Sequence, residues 1–145
     1  MMISTKGRYA LRVMIDLAMY GEGDFITLKE ISARQEISVK YLEQVIALLN
    51  RAGFLRSLRG NNGGYRLAKK PAEYTAGEIL RAAEGTLAPI ACLSNDPNEC
   101  HRQEQCTTLP FWKEYYRIIT EYVDGITLQQ LADQARAMAE NNYSI

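Results

Sequence analysis

Ser38-Val39-Lys40-Tyr41-Leu42-Glu43-Gln44-Val45-Ile46-Ala47-Leu48-Leu49-Asn50-Arg51-Ala52-Gly53 is the stretch whose reading decides the fold. Tyr41, Leu42, Val45, Ile46, Leu48 and Leu49 recur at helical spacing, Ser38 can cap the start, and Gly53 stops the run. Immediately upstream, Thr27-Leu28-Lys29-Glu30 is a capping box that opens a shorter helix ending near Arg34. Gln35-Glu36-Ile37 leaves room only for a tight connection. A short helix, a tight turn and a longer helix make a helix-turn-helix, with the longer helix as its recognition element.

The residues that follow sharpen this reading. Phe54–Arg59 is strand-like, Gly60-Asn61-Asn62-Gly63-Gly64 supplies the positive φ values of a hairpin turn, and Tyr65-Arg66-Leu67 returns. A β-hairpin directly after a recognition helix is a wing. Its tip carries Arg59 and Gly60, flanked by Arg56 and Arg66, and an arginine on a thin tip can enter a narrow minor groove.

Farther out, Leu11, Met14, Ile15, Leu17 and Ala18 predict an amphipathic helix over roughly residues 5–20, ended by Gly21 and Gly23. Thr75-Ala76-Gly77-Glu78 is a second capping box, opening a helix that stops at Gly85, and Thr127-Leu128-Gln129-Gln130 is a third. A long helix begins near Pro110 with Thr108 available as its cap. Its stripe of Phe111, Trp112, Tyr115, Ile118, Ile119, Tyr122 and Val123 is wide for the little core a small protein has left to cover it, so it reads as a two-helix dimer seam, with packing of part of it on the chain's own head as the alternative. Gly125 ends it, and the tail 141–145 is expected to fray. The fold class is mainly α with a small β-hairpin. Residues 1–85 form a winged helix-turn-helix DNA-binding head, 86–109 a cysteine loop, and 110–145 a dimerisation helix and C-terminal helix.

The formal net charge is zero, but its distribution is uneven. Residues 1–70 hold 12 Lys/Arg against 6 Asp/Glu, and residues 71–145 hold 5 against 11. A basic first half on an acidic second half points to a nucleic-acid-facing head. Lys6 and Arg8 suit phosphates; Ser38, Lys40, Tyr41, Glu43 and Gln44 face out near the start of the recognition helix. Gln44 suits adenine, and Glu43 can accept from the cytosine amino group. A phosphate-rich partner repels Glu43, so this carboxylate either reads sequence or has another task. No run approaches 18 apolar residues, and Arg12 and Asp16 interrupt any signal-peptide core, so a cytoplasmic protein without a membrane span is expected. No nucleophile set, phosphate loop or nucleotide fingerprint is present, and the single histidine, His101, leaves little for acid–base catalysis. The chain is not expected to be an enzyme.

All three cysteines lie in the loop: Cys92-LSNDPNE-Cys100-HRQEQ-Cys106. An odd number of cysteines in a cytoplasmic chain favours metal or redox chemistry over a structural disulfide. Three thiolates can hold an iron–sulfur cluster with one weaker ligand. Zinc sites usually show two close cysteine pairs, which these gaps do not provide. Reversible disulfide chemistry is the remaining reading. For the fourth ligand, His101 adjoins Cys100, while Asp96, Glu99 and Glu104 are local oxygen donors. Glu43, supplied by a partner subunit, is a further candidate.

Taken together, Ser4–Ala10 (STKGRYA), Ser38–Gln44 (SVKYLEQ), Arg59–Tyr65 (RGNNGGY) and Thr75–Ile79 (TAGEI) resemble the IscR-type winged-helix regulators, a bacterial family that includes IscR-, NsrR- and CymR-like members. The resemblance implies a homodimer on a palindromic double-stranded operator, with Ser38, Tyr41, Glu43, Gln44 and Arg59 at DNA-contacting positions. Through Cys92, Cys100 and Cys106 it implies a 2Fe–2S cluster as in IscR-like proteins, or 4Fe–4S as in NsrR-like ones. The chain departs from both: Leu109 stands where IscR-like proteins place a ligand histidine, and Arg8 where NsrR-like proteins offer an aspartate. The expected function is a regulator, a repressor of iron–sulfur assembly genes. The alternatives are a cluster-free thiol-redox or cysteine-metabolism regulator and a nitric-oxide-sensing regulator.

Overall fold

The structure, a computed structural model, describes residues 2–143. Six α-helices and one two-stranded antiparallel sheet follow the order α1 (Thr5–Tyr20), α2 (Leu28–Gln35), α3 (Val39–Arg51), β1 (Leu55–Leu58), β2 (Gly64–Leu67), α4 (Ala76–Glu84), α5 (Leu109–Gly125) and α6 (Leu128–Tyr143). The helix starts follow their caps. The Ser4, Thr27 and Ser38 hydroxyls accept from the amides of Gly7, Glu30 and Tyr41, and the Thr27–Glu30 box is complete in both directions. So is the box at Thr127 and Gln130. At Thr75 only the hydroxyl half forms. Thr75 lies in a short bridge to Thr127, where the starts of α4 and α6 pair by backbone hydrogen bonds.

The helix-turn-helix packs on α1. Leu42, Val45, Ile46 and Leu49 of α3 are buried with Val13, Met14 and Leu17 of α1 and with Ile31 of α2. Each such side chain contributes roughly 1.5–3 kcal/mol of burial relative to exposure. Burying this face turns Lys40, Glu43, Gln44 and Asn50 outward. The wing pairs Leu55 with Leu67 and Arg56 with Arg66. Ile26 joins it as a third, single-residue rung, exchanging two 2.8 Å backbone hydrogen bonds with Tyr65. Gly64 permits that approach, since a Cβ there would lie 2.3 Å from the Ile26 carbonyl oxygen.

Among the described residues one charged side chain is fully buried. Asp16 is 0 % exposed, on the same face of α1 as Val13 and Leu17. Arg34 forks onto it with two hydrogen bonds of 2.9 and 2.8 Å, and the Gln35 amide adds a third at 2.9 Å. The Arg34 guanidinium also lies over the Tyr20 ring at 4.3 Å. Arg12 donates to the side chain and backbone carbonyl of Gln35. The end of α2, and hence the turn into α3, is thereby bolted to α1. Tyr74, also fully buried, closes the other end of the head: its hydroxyl donates to the Phe54 carbonyl at 2.7 Å and accepts from the Lys69 amide at 3.0 Å.

The sequence groups α6 with α5, but α6 returns to the head. Leu128 and Ala132 are fully buried in the same core as α1, and Arg136 donates to the Ala18 carbonyl at 3.0 Å. The small residues of this helix allow the close approach that its amphipathic pattern alone does not specify. The helical part of the tail extends to Tyr143, and residues 144–145 lie outside the described residues. Replacing Asp16 by Ala should destabilise the fold by about 1.5–3 kcal/mol, because it removes the charge-assisted hydrogen bonds that tie the end of α2 to α1. Chemical denaturation of the variant measures this; a loss below about 1 kcal/mol would show that the network is dispensable.

Candidate DNA-binding face and cysteine loop

The residues read as DNA contacts gather on the head. Lys6 and Arg8 are exposed on the first turns of α1, and Arg8 donates to the Thr5 hydroxyl at 3.3 Å. Ser38, Lys40, Glu43 and Gln44 are exposed at the start of α3. The Ser38 oxygen is occupied as a cap, which leaves its O–H proton for a phosphate. Tyr41 is half-buried, its ring edge-on to Tyr9 at 5.3 Å, so it braces α3 on α1 as well as bordering the outer face. Arg59 and Gly60 stand exposed at the wing tip, and Gly60 has a φ of 110°, which only glycine adopts without strain. Arg56 stays out in solvent. Arg66, expected to flank the tip, turns to the body: it donates to the Gly23 carbonyl at 3.0 Å and stacks on Phe25 at 4.6 Å. Directly opposed like charges repel, and this turn separates the two arginine heads.

The cysteine loop leaves α4 at Gly85, whose φ is 84°. Its root is latched to the N-terminal arm. The Ser4 amide and hydroxyl donate to one Glu84 carboxylate oxygen at 2.8 and 2.6 Å. Gly7 lies so close that an added Cβ would sit 2.4 Å from that oxygen. The last turn of α4 and the first turn of α1, which carries Lys6 and Arg8, are therefore mechanically joined. Beyond Leu87, which is buried, the loop is irregular apart from short 3-10 turns at Ala91–Leu93 and Gln103–Gln105.

Cys92, Cys100 and Cys106 are free thiols, each partly exposed. Cys100 and Cys106 line one open depression of about 360 Å³ with Arg102, Gln105 and Thr107. Among the described residues no three His, Cys, Asp or Glu side chains come together as a ready-made metal site, so neither Glu43 nor His101 completes one with the cysteines. Both are exposed. Thr108, expected to cap α5, makes no side-chain cap; its hydroxyl meets the Cys106 sulfur at 3.6 Å. That hydrogen bond first, then the amides of Thr108 and Leu109 at the helix start, hold the Cys106 thiol below its ordinary range.

The donor chemistry fits an iron–sulfur group. Three thiols share one loop, one of them biased toward thiolate. The amide nitrogen of Asn98 in the same loop is buried without a partner, where a sulfur acceptor would satisfy it.

α5 presents its aromatic stripe to solvent: Phe111, Tyr115, Ile118 and Tyr122 are 62 %, 40 %, 53 % and 69 % exposed. An ion pair ties the C-terminal end of the helix to the head. Arg81 forks onto Asp124 with two 2.8 Å hydrogen bonds, and Gly77 makes room for that carboxylate. No described helix is long and apolar enough to cross a membrane.

Comparison with known proteins agrees with this architecture. Residues 3–134 match the model of the Rrf2 family, described as iron-dependent transcriptional regulators. The chain is 35% identical over 145 residues to the protein rrf2 of Nitratidesulfovibrio vulgaris, covering 100% of this chain and 96% of that one. Among solved structures, CymR (YrzC), the global cysteine regulator of B. subtilis, superposes with a TM-score of 0.76 at 35% identity, covering 92% of this chain and 98% of that one. IscR of T. potens superposes with a TM-score of 0.72 at 38% identity, covering 93% and 88%. The family is described as one of transcriptional regulators, and further relatives are named HTH-type transcriptional regulators, not enzymes. With its winged helix-turn-helix head and these similarities along nearly its whole length, the chain belongs to the Rrf2 family of transcriptional regulators.

Proposed function

We propose that the protein is a cytoplasmic, dimeric repressor that binds palindromic double-stranded DNA and senses iron–sulfur status through a cluster, 2Fe–2S in the first instance, controlling genes of iron–sulfur assembly. The observation that carries the reading is the loop that holds all three cysteines as free, accessible thiols, rooted by Glu84 on the arm that bears Lys6 and Arg8. Likeness to an IscR structure supports it. A bound cluster supplies a redox-active, oxidant-sensitive centre whose loss can report the state of the cell.

The chain's own residues divide the work. Cys92, Cys100 and Cys106 hold the group, with Thr108 and the start of α5 stabilising the Cys106 thiolate. A weaker fourth ligand leaves the site labile, which suits a sensor. Glu43 of a second copy and His101 are the two candidates. Use of Glu43 would tie the recognition helix to the cluster, so that cluster loss releases it. Lys6, Arg8 and Lys40 neutralise phosphates, Gln44 reads a base edge, and Arg59 enters the minor groove. The exposed α5 stripe pairs two copies, and the Arg81–Asp124 fork sets how each head hangs from that seam.

Likeness to CymR favours a second reading, in which the thiols act without a cluster. The Cys106 thiol, held below its ordinary range, suits oxidation by peroxide or oxygen to a sulfenic acid, from which the Cys100 thiol then displaces water to form a disulfide. Anaerobic isolation separates the two. The cluster reading requires a brown protein with visible absorption and about one cluster per chain, lost when any one of the three cysteines becomes Ala. A folded, colourless, iron-free protein that gains a Cys100–Cys106 disulfide in air establishes the thiol reading instead.

The DNA-facing assignments separate by contact type. Gln44→Ala should cost about 1–3 kcal/mol at the cognate site and little on random DNA. Arg59→Ala should weaken binding most at sites flanked by A·T-rich minor grooves. Competition binding with matched and scrambled duplexes measures both; equal losses on the two duplexes would remove Gln44 from base reading.

A further inference from the structure

Asn98 lies between Cys92 and Cys100 and organises the loop through both of its carbonyl groups. Its side-chain oxygen accepts from the Cys100 amide at 2.9 Å, an Asx turn that aims Cys100. Its backbone oxygen accepts from the Gln103 side chain at 3.0 Å. The first bond fixes which end of the side-chain amide is oxygen, so the nitrogen end is defined as well. That nitrogen is buried, and it is the single buried side-chain nitrogen or oxygen without a hydrogen-bond partner among the described residues. The nearest carboxylate in sequence does not take it: Glu99 accepts from Asn95 at 3.1 Å. A buried N–H without an acceptor is costly, so one in a folded protein calls for an explanation.

We propose that Asn98 is a positioning residue of the cysteine loop, whose side-chain N–H donates to a sulfur of the iron–sulfur group that the loop holds. This rests on the cluster reading above and adds a residue to it. Thiolate sulfur is a charged acceptor, and hydrogen bonds to it stabilise the electron-rich state and raise the reduction potential. Asparagine meets both demands of the position: its oxygen makes the turn at Cys100, and its nitrogen offers a neutral donor. An aspartate would make the turn equally well but would set a carboxylate against thiolates. The residue thereby links loop geometry and cluster electronics in one side chain.

The test compares wild type, Asn98→Asp and Asn98→Ser, isolated anaerobically. Both variants retain a short side-chain oxygen for the turn and lack the amide donor. Iron and sulfide content per chain, the midpoint potential and the half-life of visible absorption in air are measured for each. Loading should persist in both variants, the potential should fall in both, and the half-life in air should shorten by about tenfold. Variants that match wild type in potential and air lifetime overturn the proposal and leave the cluster reading intact. A shift confined to the aspartate reports its added charge and also overturns it. A wild-type protein without iron overturns the cluster reading itself, and this inference with it.

Discussion

A carboxylate with no access to water must be paired, and Asp16 is paired by the two residues that end α2. That requirement orients the whole DNA-binding face. Arg34 and Gln35 are the last residues before the turn into α3, so their hydrogen bonds set where the recognition helix begins. The core contacts of Leu42, Val45, Ile46 and Leu49 then fix its rotation. Tyr9 against Tyr41 and Arg12 on Gln35 add to the same joint. Apolar packing alone tolerates small slides of one helix on another, whereas a bidentate arginine fork does not. These contacts set the relation of Lys40, Glu43 and Gln44 to Lys6, Arg8 and the wing.

The cysteine loop is built on opposite terms. The loop from Thr86 to Thr108 has little regular structure, and local side-chain hydrogen bonds rather than a core hold it together. Its order is thus open to what its cysteines bind. Its first end is anchored to the head, where Glu84 grips Ser4. Its second end runs into α5 at the buried Leu109, and the far end of that helix is held to α4 by Arg81 and Asp124. The first contact ties the loop to the turn that carries Lys6 and Arg8, and the second ties α4, from which the loop departs, to the helix that carries the exposed aromatic stripe. Coupling by two such elements needs no displacement of the core, only a shift at surfaces that are already polar and adjustable.

Most local features were legible because their causes are local. The Thr27 and Thr127 capping boxes, the Ser38 cap and the glycine turn of the wing each depend on residues within a few positions, and the structure forms them as expected. What was not legible depends on partners far away in sequence. The pairing of Asp16 with Arg34 joins two helices, and α1 alone shows Asp16 only as an interruption of an apolar face. Arg66 leaves the wing tip because Phe25 and Gly23 happen to lie beside it. Thr108 gives up its cap for the Cys106 sulfur, and α6 folds back on α1 through Leu128 and Ala132. Of the candidate site, the three cysteines and the exposed face of α3 were readable from residue type and spacing. Asn98 was not, because an unpartnered amide becomes visible only when its surroundings are known.

The central claim is that the state of the cysteine loop sets the affinity of the head for its operator. The direct measurement is an operator titration of the anaerobically isolated protein, repeated on the same sample after its iron is removed by chelation, with circular dichroism to verify that the fold persists. The account requires a change of about tenfold or more in the dissociation constant, the scale of an allosteric coupling of roughly 1–3 kcal/mol. Identical titrations before and after iron removal, on protein that remains folded, would contradict it.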